Sequence, residues 1–352
     1  MLQKKRKKVG SSETTREASV FNFDLVQSTD DYIPLKIKAK IDSLHSNVNV
    51  QLFLEWFIGF TEGDGSFTVI KFPTLRNPSN VRPCFRINQK HPQVLYRIKK
   101  ELGFGRIHPV KEATTGAQYY RYSVYTLNHI KHLILIFNGN LILEKVRNRF
   151  ACWVNAYNNL IDQEHFNLKI QYNSRVPGID LNSAWLAGFT DADGGFYASL
   201  SSNKRYLTGF RERYKFYISQ KGELQFLEKL DQLIQTTTLE TASQYVSSHI
   251  KKLPQQVKPK KGSLIDHIYK VSEQSGIYKL EITKLANLQI LINYFEKYPL
   301  FSKKQLVFVR WRRVITRRDA LRAAALLSEK GMRRYKRLYS SIGKIREITS
   351  TE

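Results

Sequence analysis

Apolar positions in this chain keep two different spacings, and the spacings alternate twice along its length. From Leu52 to Thr61, and again from Ala184 to Thr190, they follow an amphipathic helical rhythm that ends in acid-x-Asp-Gly, where the glycine permits a sharp exit. Past each glycine the period falls to two. Phe67 and Val69, and Phe196, Ala198 and Leu200, alternate with Ser66, Thr68 and Ile70, and with Tyr197, Ser199, Ser201 and Asn203. Strands are predicted there, the first set packed and the second facing outward. Second strands follow, with Arg82, Arg86 and Asn88 in one copy and Arg211, Arg213, Lys215 and Tyr217 in the other. Helical spacing returns at Val94, Leu95, Ile98 and Leu102, and at Leu224, Leu227, Leu230 and Leu233. Each half reads helix, strand, strand, helix, strand, strand, helix, helix, a mixed α+β module, and two modules make one pseudo-symmetric body.

The two halves are a repeat. Trp56-Phe-Ile-Gly-Phe-Thr-Glu-Gly-Asp-Gly-Ser-Phe67 aligns without a gap over twelve positions with Trp185-Leu-Ala-Gly-Phe-Thr-Asp-Ala-Asp-Gly-Gly-Phe196. Phe85-Arg-Ile-Asn-Gln-Lys90 and Phe216-Tyr-Ile-Ser-Gln-Lys221 follow, with Gln89 25 residues after Asp64 and Gln220 27 residues after Asp193. Asn140-Leu-Ile-Leu-Glu-Lys145 and Pro299-Leu-Phe-Ser-Lys-Lys304 then open helices that carry Trp153 and Trp311. The interval from Gln to the final Lys is 56 residues in the first half and 84 in the second. The extra 28 residues are placed between Thr236 and His267, in an enlarged hairpin loop containing the Pro- and Lys-rich run Pro254 to Ser263. Modules are expected at 48–161 and 183–318, joined by a turn-rich linker at 162–182. Residues 1–47 form a basic extension, and 319–352 read as a basic helix with Leu321, Leu326 and Leu327 among Arg322, Arg333, Arg334 and Arg337.

Charge narrows the choice of partner. Among 352 residues, 57 Lys and Arg against 30 Asp and Glu give a net charge of +27, which self-repels unless a polyanion takes it up. Nucleic acid is the expected partner, with ribosomal and anionic-membrane binding as classes sharing that balance. A hydrophobic content of 42% is enough for a folded core, and no run approaches a membrane span or a secretory signal. Cys84 and Cys152 both sit in periodic segments and read as buried thiols in a reducing compartment. Lys4 to Lys8 reads as a solvated tail, or as a nuclear import signal.

The chemistry lies in the repeated acids. Gly59 and Gly188 lack side chains one turn before the helix tips, so two such helices can approach backbone to backbone. Glu62, Asp64, Asp191 and Asp193 then cluster at helix C-termini, where partial negative charge makes them unfavourable unless cations bind or backbone donors satisfy them. A hard divalent ion such as Mg²⁺, which takes few carboxylates and keeps water and phosphate oxygens, resolves this for Asp64 and Asp193. Glu62 and Asp191, set further from the tip, are expected to bond backbone groups of the opposing helix. A lone acid-x-Asp-Gly would be a capped helix and a turn; two copies with matching flanks argue for function.

Trp56 to Phe67 and Trp185 to Phe196 resemble the paired signatures of LAGLIDADG homing endonucleases, of the single-chain subfamily found in organellar introns. The resemblance covers roughly residues 50 to 318, and Leu186 to Gly194 differs from the eponymous letters at two positions. It implies two pseudo-twofold-related αββαββα modules, with the motif helices at their interface and antiparallel sheets forming a DNA-binding saddle. It implies two or three Mg²⁺ ions, with Mn²⁺ or Ca²⁺ able to substitute in binding, held by Asp64, Asp193 and the carbonyls of Gly63 and Ala192. Gln89, Gln220, Lys145 and Lys304 would form a polar shell that orients water and stabilises charge. From the residues alone, those glutamines could equally be helix-entry polar groups and those lysines solvated charges. Glu62 in place of Asp, and Asn140 opposite Pro299, are departures within the first half, the latter bearing on where Lys145 sits.

The outward strand positions, including Ile70, Arg82, Arg86 and Asn203, suit a β-ribbon in the major groove, with phosphate contacts giving salt-dependent affinity. The function expected is a staggered double-strand cut at a long asymmetric target by a monomer made in a mitochondrion or chloroplast. The alternative is a maturase that binds its host intron RNA through the basic C-terminal extension. Gly276-Ile-Tyr278 reads as a β-turn entering a strand rather than as half of another nuclease signature, and His129 and His132 read as surface residues rather than zinc ligands. Tyr119, Tyr120, Tyr122 and Tyr125 read as packing residues.

Overall fold

A computed structural model describes residues 48–71, 81–112, 114–161, 169–249, 267–272 and 274–349. The first half runs α1 (Val48–Asp64), β1 (Gly65–Lys71), β2 (Val81–Gln89), α2 (Gln93–Leu102), β3 (Arg106–Lys111), β4 (Gln118–Val124), α3 (Leu127–Phe137) and α4 (Glu144–Asn158). The second repeats that order as α5 (Trp185–Asp193), β5 (Gly194–Ser202), β6 (Phe210–Lys221), α6 (Leu224–His249), β7 (Ile268–Lys270), β8 (Ile277–Ile282), α7 (Leu285–Lys297) and α8 (Lys304–Thr316). Two further helices, α9 (Arg318–Leu327) and α10 (Glu329–Thr349), complete the chain. Each half carries a four-stranded antiparallel sheet, ordered β1-β2-β4-β3 and β5-β6-β8-β7. Among the described residues no helix is long and apolar enough to cross a membrane.

Each sheet buries one face on aromatic rings supplied by the repeat. Phe67, Phe85, Phe137, Phe150 and Trp153 form the first cluster, and Phe196, Phe216, Phe295, Phe308 and Trp311 form the second. Both indoles donate to backbone carbonyls of the hairpin above them, Trp153 Nε1 to Cys84 O and Trp311 Nε1 to Tyr197 O, each at 3.1 Å. Between the clusters lie α1 and α5, packed against each other. A Cβ at Gly59 would stand 2.0 Å from Trp185 O, and one at Gly188 would stand 1.8 Å from Trp56 O. The glycines therefore set the closeness of approach in both directions, as their spacing implied. Phe53, Leu54, Trp56, Phe57, Ile58 and Phe60 are all buried, so α1 is covered nearly all round rather than along one stripe. Glu55 is buried as well, accepting the Ala184 amide at 2.9 Å where α5 begins.

Several expectations are corrected. Val69 is 39% exposed, whereas Ala198 at the matching position is buried, because α10 packs over β5 through Tyr339, which bonds the Tyr214 opposite Ala198. Cys84 is buried but Cys152 is exposed on α4. His132 is buried and His129 stacks on Phe104 with centroids 4.5 Å apart, so this pair packs instead of lying on the surface. Tyr122 is buried in the core, in keeping with the packing role expected of it. Gly276 does turn the chain into β8, with φ of 61°. The insertion is partly helix: α6 continues to His249, and 250–266, including the Pro- and Lys-rich run, lie outside the described residues, as do 1–47 and 162–168. Asn203 lies just past the end of β5, where its Oδ1 accepts the Arg205 amide.

Residues 318–349 form two helices instead of one, because Ser328 adopts extended backbone between them. They are built into the second module. Tyr335, Tyr339 and Ile342 are buried, and Glu212 on the inner face of β6 accepts hydrogen bonds from Tyr335 Oη at 2.7 Å, Tyr214 Oη at 2.8 Å and both Nε and Nη2 of Arg322. The hydroxyls of Tyr214 and Tyr339 also bond each other. Glu212→Ala is expected to cost about 2–3 kcal/mol, since it removes the acceptor of two buried tyrosine hydroxyls and the partner of the half-exposed Arg322; Tyr339→Phe should cost about 1 kcal/mol. Burial alone would raise the Glu212 pKa, but its hydrogen bonds outweigh burial and hold it below the ordinary value. Its contribution is therefore present above the ordinary carboxylate pKa and fades as pH falls through the lower folded value, so urea midpoints of wild type and Glu212→Ala should converge in acid.

Candidate active site

Asp64 and Asp193 are the last residues of α1 and α5. The tips abut: a Cβ on Gly63 would come within 2.3 Å of Ala192 Cβ and 3.0 Å of Asp193 Oδ2. Sequence spacing places Gln89 and Gln220 near the ends of β2 and β6 with their side chains on the inner face, so each reaches the carboxylate of its own half. Gln89 Nε2 donates to Asp64 Oδ2 at 2.6 Å, and Gln220 Nε2 donates to Asp193 Oδ2. The repeat thus builds the same pair twice.

The lysines break that symmetry. Lys304 Nζ donates to Ala192 O at 2.6 Å and Thr190 O at 3.4 Å within its own half. Lys145 crosses to the other half, donating to Gln220 Oε1 at 2.5 Å and Lys221 O at 3.4 Å, while its amide donates to Glu223 Oε1 at 3.1 Å. Both ammonium groups act on Asp193, whose pKa burial raises against the pull of Gln220 and the two lysines. Burial lowers the Lys145 pKa, opposed by Glu223 and Asp193. A cleft of about 680 Å³ opens over the carboxylates, with Asp64, Gln89, Lys90, Tyr119, Ala192 and Asp193 in its lining.

Glu62 and Asp191 are buried, and their contacts differ from those expected. Their backbone donors belong to their own half, and the group taken from the opposing helix is an indole. Glu62 Oε1 accepts the amides of Ile142 and Leu143 at 2.7 and 2.6 Å, and Oε2 accepts Trp185 Nε1 at 2.6 Å. Asp191 Oδ2 accepts the Phe301 amide at 2.6 Å and Trp56 Nε1 at 2.9 Å, with Ser302 Oγ on Oδ1 at 2.5 Å. Ile142-Leu143 and Phe301-Ser302 occupy matching places in the repeat. Burial pushes Glu62 up to about 7 and raises Asp191, while these donors pull both down. These two acids are therefore accommodated by hydrogen bonds at the helix interface, apart from the tip carboxylates.

Among the described residues no three or more His, Cys, Asp and Glu side chains converge as a metal cage. The donors at the tips are hard oxygens, the carboxylates of Asp64 and Asp193 and the carbonyls of Gly63 and Ala192. Such a set fits an ion that keeps water and phosphate as most of its ligands, as Mg²⁺ does, and does not fit a closed zinc centre. Lys304 Nζ holds the Ala192 carbonyl and would have to turn aside for that oxygen to serve.

Ser66, Thr68 and Ile70 lie opposite Arg86, Cys84 and Arg82 in the β1–β2 register, and Tyr197, Ser199 and Ser201 lie opposite Lys215, Arg213 and Arg211. Ser66 and Thr68 hydroxyls share a 2.9 Å bond. Asn88 Oδ1 accepts Arg121 Nε at 2.9 Å, and Tyr217 lies where a Cβ on Gly195 would strike its ring. Reading only the first two strands of each sheet missed Arg106, Arg121, Lys279 and Glu281, which join the outward faces from β3, β4 and β8. Their alternation was legible, but their register was not.

A family model described as LAGLIDADG endonuclease matches residues 57–157, 186–260 and 253–315. The chain is 33% identical over 267 residues to "Probable intron-encoded endonuclease 4" of Neurospora crassa, across 74% of this chain and 39% of that protein. It is 22% identical over 271 residues to "Intron-encoded DNA endonuclease aI3" of Saccharomyces cerevisiae, across 74% and 62%. The chain thus spans well under two thirds of the length of the first of these relatives. Among solved structures, I-SmaMI bound to uncleaved DNA target in the presence of calcium ions superposes with a TM-score of 0.56 at 17% identity, covering 82% of this chain and 98% of that one. The LAGLIDADG meganuclease I-CpaMI bound to uncleaved DNA gives 0.54 at 17% identity, covering 82% and 98%. At that identity the likeness is one of fold.

Proposed function

The chain belongs to the LAGLIDADG endonuclease family, and from that membership we propose that it is a homing endonuclease hydrolysing phosphodiester bonds in double-stranded DNA. The target is long and asymmetric, because the two halves present different side chains. The product is a staggered double-strand break that serves intron mobility. One observation carries the reading: Asp64 and Asp193 meet at abutting helix tips, each held by a glutamine of its own half, between two sheets with cationic outer faces.

Asp64 and Asp193, with the carbonyls of Gly63 and Ala192, would hold two or three divalent ions, Mg²⁺ in the working enzyme and Mn²⁺ or Ca²⁺ in binding. Such ions supply charge that activates a water and stabilises the leaving oxygen. Gln89 and Gln220 hold the carboxylate planes by their amide donors. Lys145 and Lys304 place positive charge where a scissile phosphate would gain negative charge, and Lys145 does so across the module boundary. The modules at 48–161 and 183–318 read the two half-sites through Ser66, Thr68, Ile70, Arg82, Arg86 and Asn88, and through Tyr197, Ser199, Ser201, Asn203, Arg211, Arg213, Lys215 and Tyr217. The chain acts as a monomer in the organelle whose intron encodes it, a setting supported by the intron-encoded names of its relatives.

The test is cleavage of a plasmid library carrying intron-insertion sequences. With Mg²⁺ the purified chain should linearise at least one member. With Ca²⁺ replacing Mg²⁺, cutting should fall to background while duplex binding persists. Failure to cut any DNA, together with binding of the host intron RNA and promotion of its splicing, would replace the endonuclease reading with the maturase one.

A further inference from the structure

Strands β1 to β8 carry two acidic residues. Glu212 points inward and is consumed by the C-terminal helices. Glu281 is on β8 opposite Tyr217 of β6, on the outward face of the second sheet. It gathers a network drawn from three strands: Lys215 Nζ on Oε2, with Lys279 Nζ at 3.0 Å and Tyr269 Oη at 2.9 Å on Oε1. Lys279 Nζ also stands 4.7 Å from the Tyr217 ring centroid.

A carboxylate here works against general DNA affinity. It repels phosphates, and it ties up two lysines that would otherwise neutralise them. The fold does not require it, because in the first sheet, of identical strand order, the matching position opposite Arg86 is Ser123. Phosphate and sugar edges offer a carboxylate no strong donor, whereas the major-groove edge of cytosine offers its N4 amino group. Guanine, on the other strand of the same pair, offers O6 and N7 to an ammonium donor. A carboxylate flanked by two ammonium groups therefore matches the donor and acceptor order of a C·G pair.

Resting on the DNA-binding reading above, we propose that Glu281 is a specificity-determining residue of the second half-site, accepting from cytosine N4 of a C·G pair while Lys215 or Lys279 donates to the paired guanine. Tyr269 fixes the carboxylate from the edge strand.

Equilibrium selection from a random duplex pool, in Ca²⁺ so that bound DNA is not cut, tests this with the full chain and its Glu281→Gln and Glu281→Ala variants. Wild type should select one duplex family with C·G at a position of one half-site. Glu281→Gln, which keeps side-chain shape if Glu281→Ala folds poorly, should lose that preference by about tenfold or more, with gain for A·T at that pair alone. An unchanged preference at every position, with merely tighter and more salt-sensitive binding, would show that Glu281 only trims charge and would overturn the proposal while leaving the endonuclease reading intact. If wild type selects no duplex, the DNA-binding reading fails and the proposal falls with it.

Discussion

Asp64→Asn and Asp193→Asn are each expected to lower the rate of plasmid linearisation about a thousandfold or more, equivalent to about 4 kcal/mol of transition-state stabilisation. The substitution is isosteric, and the glutamine that donates to each carboxylate still finds an amide oxygen, so the helix tips should keep their geometry. What is lost is the anionic oxygen that would ligate a cation. DNA binding should therefore survive, and Asp193→Asn should bind more tightly than wild type, because Lys145 and Lys304 both act on that carboxylate and would be left to face phosphate. The pair of measurements is a linearisation rate in Mg²⁺ and a gel-shift affinity in Ca²⁺. A variant cutting within tenfold of wild type would remove its aspartate from the metal-binding role.

Gly188→Ala is expected to destabilise the chain by at least about 3 kcal/mol and to abolish cutting along with the fold. The added methyl would stand 1.8 Å from Trp56 O and 2.8 Å from Phe60 N, both backbone atoms. Neither helix has an easy retreat. The Trp56 indole is held by Asp191, the Trp185 indole by Glu62, and each of those acids also holds backbone amides of its own half. Separating α1 from α5 to admit one methyl would strain four buried groups at once. Gly59→Ala should behave alike, since its methyl would meet Trp185 O at 2.0 Å. Gly343→Ala is the control: it lies in α10 with nothing within 4 Å of the added carbon, so helix propensity alone predicts a gain of about 0.5–1 kcal/mol. Urea unfolding of the three variants reads the contrast. A Gly188→Ala protein as stable as wild type would mean that the helices do not meet as described.

Element order was readable because each element has its own periodicity, and the repeat allowed one half to check the other. Within the candidate site, the pairing of Asp64 with Gln89 and of Asp193 with Gln220 was legible because the glycine after each motif acid and the recurring Gln-Lys pair fix local geometry. The lysines show where this reasoning stops. Lys145 and Lys304 are equivalent in the repeat, yet Lys145 bonds a glutamine 75 residues away in the other half while Lys304 bonds its own helix tip. Likewise, the sequence sets Glu62 and Asp191 back from the tip acids, but shows their partners, Trp185 and Trp56, only as motif boundaries. Nothing in the spacing of a tryptophan tells which carboxylate its N–H will reach.

The two acidic motifs, the glycines that let their helices touch, and the doubled α+β module were determined by the sequence alone. These depend on contacts within a turn or a strand and on the absence of a side chain, which a linear pattern records. Only the tertiary structure decided that the indoles cross between halves, that Lys145 serves the opposite module, that Val69 and Cys152 reach the surface, that residues 318–349 clamp the second hairpin, and that Glu281 faces outward among lysines. Each of these follows from register and packing between segments far apart in the chain, and such contacts leave no periodic trace in either partner.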